Sequence, residues 1–127
     1  MFGVALLWTT VAFGQEAMLT AKCSRTTVGL NEQFRITFST DRRGGKIEPP
    51  AMNNFLIVGG PFQSQQTQII NGNMSFQREV SYELVAKAEG TFKIGPASLK
   101  TRQGNLESNA LKITVKAGSV RENPLVQ

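Results

Sequence analysis

Apolar and polar residues alternate along most of the chain after residue 15. Phe34, Ile36 and Phe38 alternate with Arg35, Thr37 and Ser39, and Leu111, Ile113 and Val115 alternate with Lys112, Thr114 and Lys116. Successive side chains of a strand point to opposite faces, so each stretch predicts a strand with one buried and one solvated face, as antiparallel sheets tolerate. The run FLIVGG at 55–60 is continuously apolar and predicts a strand covered on both sides.

The longest signal is QTQIINGNMSFQREVSYELVAK. Asn71-Gly72, set between Ile69-Ile70 and Met74, predicts a hairpin, because a two-residue type I′ turn needs positive φ at both central positions. Beyond the turn, Met74, Phe76, Val80, Tyr82 and Leu84 share one face, and Arg78 falls on it too. A buried unpaired arginine costs several kcal/mol. The expectation is therefore a bulge near Arg78, or a stretch where this face is open to solvent.

Residues 80–100, VSYELVAKAEGTFKIGPASLK, break at Glu89-Gly90, resume at Thr91–Ile94 and break again at Gly95-Pro96. Read as an anion loop, this segment fails. Lys87, Lys93 and Lys100 stand apart, and no helix follows to offer its N-terminus to a phosphate. Phe92 and Ile94 alternate with Thr91 and Lys93, which predicts a short buried strand at a sandwich corner.

Seven or eight short strands, regular spacing, turns rich in Gly, Asn and Pro, and no helical period after residue 15 predict an all-β fold. The expected architecture is an antiparallel β-sandwich of immunoglobulin type over 15–117, without a disulfide. The paired cysteines and core tryptophan of antibody domains are missing, so the likeness is architectural. Residues 118–127, GSVRENPLVQ, lose the alternation and read as a linker or tail.

The chain has 127 residues, enough for one such domain. Its start, MFGVALLWTTVAFGQ, is apolar from Phe2 to Phe13 and uncharged before Glu16. Ala12 and Gly14 take the −3 and −1 positions of a cut after Gly14. This predicts a secretory signal peptide over 1–14, too short to cross a bilayer. Cys23 is the single cysteine, and it falls on the apolar side of Leu19, Ala21, Cys23. It reads as a small core residue, with a reactive thiol as the alternative.

The net charge of +5 does not point to nucleic acid, because the basic residues are scattered between apolar positions. Only Arg42, Arg43 and Lys46 cluster, beside Gly44-Gly45. In an exported protein, surplus positive charge suits anionic lipid head groups.

The residue inventory gives little chemistry. There is no histidine, and Asp41 is the sole aspartate. Glu79 and Glu83 would lie roughly 13 Å apart along one strand face, too far to act as an acid and base on one bond. No phosphate loop, nucleophile elbow or dinucleotide fingerprint occurs. The expectation is a protein that is not an enzyme, with no catalytic residue, no cofactor and no metal. The segment GGPFQSQQTQIINGNMSFQ is almost uncharged and rich in amides. It reads as a long surface hairpin or as a recognition edge, with Phe62, Gln63, Gln65, Gln66, Gln68, Asn71 and Asn73 as candidate contact residues.

TAKCSRTTVGLNEQFRITFS, PPAMNNFLIVGGPFQSQQTQIINGNMSFQREVSYELVAKAEGTFKIGPASLK and ESNALKITV, in this order, span about residues 17–116. They resemble the first domain of BatD, the oxygen-tolerance (aerotolerance) family of bacterial Bat operons. The resemblance implies exported chains of several immunoglobulin-like domains followed by a transmembrane helix. These are encoded beside von Willebrand A domain membrane proteins and a MoxR-type ATPase, with a role in oxidative-stress tolerance and no assigned catalytic residues. The present chain stops after the first domain, so a chain cut short of further domains and of its C-terminal anchor is expected. The implied function is a non-enzymatic, periplasmic protein-interaction module of a membrane-associated Bat complex at the inner membrane. The alternative is a carbohydrate-binding or adhesin-like sandwich, for which Phe62 is the one plausible stacking ring.

Overall fold

The computed structural model describes residues 18–102 and 104–118. The signal peptide expected at 1–14 and nearly all of the expected tail lie outside the described residues. Ten strands follow in order: β1 (Leu19–Cys23), β2 (Thr27–Gly29), β3 (Gln33–Thr40), β4 (Ile47–Glu48), β5 (Phe55–Ile70), β6 (Asn73–Ala86), β7 (Gly90–Ile94), β8 (Ser98–Thr101), β9 (Gly104–Glu107) and β10 (Leu111–Lys116). The expected seven or eight become ten because β2 and β4 have three and two residues, too few to show a period of two.

One layer is a four-stranded antiparallel sheet in the order β1-β3-β6-β5. Two three-stranded sheets, β2-β10-β7 and β4-β8-β9, form the other. The strand order of the first layer and the parallel pairing of β2 with β10 follow the immunoglobulin pattern. Ser108 links the two smaller sheets: its Oγ accepts from Ala97 N and its own N–H donates to Ala97 O.

The alternation places the core as expected. Phe34, Ile36, Phe38, Tyr82, Leu84 and Ala86 of the first layer meet Ile47, Ile94, Leu99, Ile113 and Val115 of the second in one buried cluster. Burying such side chains is worth about 1.5–3 kcal/mol each before conformational entropy is counted. The rings of Phe34, Phe55 and Phe92 meet edge to face in series, with centroids 5.5 and 5.8 Å apart. Phe92 is half-buried against this cluster, and β7 and β8 flank the Gly95-Pro96 break, so residues 80–100 do form a corner.

One expectation is corrected, and of the two alternatives at Arg78 the solvent-open face holds rather than the bulge. The run at 55–60 is not covered on both sides. β5 is the edge of its sheet, and Leu56, Ile57 and Val58 are 54, 49 and 48% exposed. The apolar run reflects strand propensity rather than double burial. No bulge lies at Arg78 either. The β3–β6 register runs unbroken from Gln33↔Val85 to Thr40↔Arg78, and the irregularities fall on β5 between Ile57, Gly59 and Phe62. The inner face of β6 instead opens gradually, from buried Leu84 and Tyr82 through half-buried Val80, Arg78 and Phe76 to exposed Met74.

Candidate functional site

The β5–β6 hairpin is the prominent surface feature. Asn71 (φ 54) and Gly72 (φ 81) make the two-residue turn that joins Ile70 to its partner Asn73. Strand β3 stops pairing at Arg78, so residues 66–77 form a ribbon of only two strands. From Arg78 to Asn73 it runs five residues, about 17 Å, past its neighbour. Neither face of this arm is covered by a second sheet, and Ile69, Ile70 and Met74 are 68, 60 and 62% exposed.

All seven candidate residues are exposed, but they do not share one surface. The register places Phe62, Gln66, Gln68 and Asn73 on the outer face, Gln63 and Gln65 on the inner face, and Asn71 in the turn. Gln63 and Gln65 border a recess of about 160 Å³ shared with Ile47, Arg78, Val80 and Tyr82. On the outer face the Arg35 guanidinium lies over the Phe62 ring, 5.3 Å from its centroid, and Arg35 Nε donates to Glu83 Oε2 at 2.5 Å. Gln33 Nε2 donates to Glu83 Oε1 at 3.1 Å. The Gln33 amide first, and Arg35 beside it, hold the Glu83 carboxyl below its usual range. Among the described residues no other aromatic ring of comparable exposure accompanies Phe62.

The two edges of the large sheet are treated differently. At β1, Asn109 acts as a substitute strand: its Oδ1 accepts from Ala21 N at 2.9 Å and its Nδ2 donates to Ala21 O at 3.0 Å. At β5, no strand pairs with the outward side among the described residues. The sixteen residues of β5 contain no charge, and only Pro61 and the two irregularities interrupt it. Long, uncharged, unpaired edges are rare because they template strand addition.

Three features escaped the sequence reading. Arg78 reaches under the β3–β4 connection and donates from Nε to Arg42 O (2.7 Å) and from Nη2 to Gly44 O and Gly45 O (2.6 and 2.8 Å). Its position on an apolar face was the visible clue, but its acceptors are backbone atoms more than thirty residues away. Phe76, expected in the core, is half-buried under the Arg43 guanidinium, 4.2 Å from the ring centroid. The third is the Asn109 clasp on β1, for which the sequence offers no signal.

Cys23 is half-buried, packs against the core, and burial pushes its thiol up, which disfavours the reactive thiolate. Among the described residues no three metal-ligating side chains converge, and no helix is long and apolar enough to cross a membrane.

This geometry defines an immunoglobulin-like β-sandwich module with one open sheet edge extended into a hairpin. The family model of the BatD DUF11 like domain matches residues 21–115, and the chain belongs to the BatD family. No curated protein and no solved structure matches the chain.

Proposed function

We propose that this chain is a non-enzymatic interaction module that docks onto protein partners by strand addition at β5. One observation carries the reading: β5 offers an uncharged backbone edge along Phe55–Ile70 with which no strand pairs among the described residues, while at the opposite edge Asn109 occupies the N–H and C=O of Ala21. An added strand would gain main-chain hydrogen bonds from the edge. Its specificity would come from side chains on both faces, Phe62, Gln66 and Gln68 on one and Gln63 and Gln65 on the other. Amides suit this task because each supplies both donors and an acceptor without the desolvation cost of a charge. The residue inventory, with no histidine and scattered carboxylates, supports a binding role over catalysis. Membership in the BatD family supports a periplasmic setting at the inner membrane, in a complex with von Willebrand A domain membrane proteins and a role in oxygen tolerance.

The test replaces residues 66–77 by Asn-Gly, which keeps every β3–β6 pair and removes the arm. Capture of the von Willebrand A proteins encoded alongside should drop at least tenfold while the thermal unfolding of the sandwich persists. Undiminished capture by this shortened chain would refute docking through the arm and leave strand addition only to Phe55–Gln65.

A further inference from the structure

A second surface lies on the inner side of the hairpin and shares only the Ile69 side chain with β5. The β3–β4 connection and the β8–β9 hairpin enclose an open groove of about 710 Å³. Arg42 and Arg43 stand on one wall, Lys100 and Arg102 on the other. Among the described residues the one carboxylate lining it is Asp41, whose Oδ1 accepts from Met18 N. None of the four cations is paired with a carboxylate among the described residues. Arg42 Nε is shielded from solvent without any acceptor there.

The walls are held in place. Arg78 clamps the carbonyls of Arg42, Gly44 and Gly45, so the connection turns its backbone inward and its cationic side chains line the groove. Gly45 sits at φ 82 so close to β8 that a methyl there would lie 2.5 Å from Lys100 O. Arg43 Nη2 reaches Met74 Sδ at 3.6 Å, so the basic wall runs directly into the arm. On that same inner face, Met74 pairs across the strands with Ile69, both apolar and exposed.

We propose that this surface docks onto an anionic phospholipid membrane, with the groove cations binding head-group phosphates and the Ile69–Met74 tip entering the interface. Guanidinium groups match phosphate geometry bidentately, and four cations facing one occupied carboxylate call for a multiply anionic surface. A soluble polyanion would use the charges and leave Ile69 and Met74 in water. A bilayer surface supplies phosphate directly above an apolar layer, and a ribbon projecting about 17 Å is long enough to enter its boundary.

The experiment is co-sedimentation of the protein with vesicles of mixed phosphatidylglycerol and phosphatidylcholine, and of phosphatidylcholine alone. Binding is expected only to the first, and weaker as salt rises. Arg42→Gln with Lys100→Gln and Arg102→Gln should weaken it roughly a hundredfold, about fivefold per charge. Lys22→Gln with Lys93→Gln and Lys112→Gln, which removes equal charge from exposed sites on β1, β7 and β10, should weaken it only a few-fold. Ile69→Ser with Met74→Ser, outside the core, should also reduce binding. Equal losses in the two charge variants would overturn the proposal, as would full binding by the tip variant. Displacement of bound protein by inorganic phosphate at unchanged ionic strength would overturn it too, in favour of a site for free phosphate.

Discussion

Arg78→Met isolates the clamp that shapes the inner surface. The substitution keeps the apolar stem along β6 and removes every donor. Three bonds are lost, at 2.7, 2.6 and 2.8 Å, all from a charged group to backbone carbonyls. Hydrogen bonds to charged groups contribute roughly 1.5–3 kcal/mol each when desolvated, and less at exposed sites. The bond to Arg42 O is partly buried and those to Gly44 O and Gly45 O are exposed. Taking about 1.5 kcal/mol for the first and about 0.7 for each of the others gives about 3 kcal/mol. In a domain of about 100 residues that is a fall in Tm of roughly 12 °C or more. Urea unfolding should show a lower midpoint with an unchanged m-value, since the surface exposed on unfolding is the same. Arg78→Lys should fall between, because one ammonium cannot span three carbonyls with the same fork. An unfolding free energy for Arg78→Met that falls by less than about 0.5 kcal/mol would refute the clamp, since changes of that size are typical of unconstrained surface sites.

Asn109→Ala should remove two hydrogen bonds at the β1 edge and cost about 2 kcal/mol by denaturant unfolding. It should also produce concentration-dependent self-association in sedimentation, because it uncovers a second edge. For Glu83 the folded-state pKa lies below the unfolded one, so its contribution to stability is present above about pH 4.3 and disappears as the pH falls through the lower folded value. Glu83→Gln should therefore show a shallower loss of stability on acidification than the parent chain, by a small margin because the ion pair is exposed.

The period of two in residues 34–38 and 111–115 was enough to place the core, and Asn71-Gly72 was enough to place the turn. Both are local: burial on alternate sides and positive φ leave their marks within a few residues. What stayed hidden depends on partners distant in the chain. The exposure of Leu56–Val58 follows from β5 lying at the end of the β1-β3-β6-β5 order, which no local pattern encodes. Arg78 looked like a defect in an apolar face because its acceptors are carbonyls of Arg42, Gly44 and Gly45, which carry no side-chain signature. The Arg42–Arg43 cluster was visible, but Lys100 and Arg102 join it only through the pairing of β4 with β8. Among the candidate contacts, Phe62 to Gln68 share an uncharged, amide-rich composition, and only the register divides them between two faces.

Strand addition at β5 is tested most directly by backbone amide exchange along Phe62–Ile70, measured with and without a von Willebrand A domain protein as the proposed partner. In an edge strand, alternate amides point away from the paired neighbour. The account predicts that these outward amides of β5 slow markedly on adding the partner, while the inward ones, already bonded to β6, change little. Unchanged exchange along β5, with protection appearing instead on the β2-β10-β7 sheet, would contradict it.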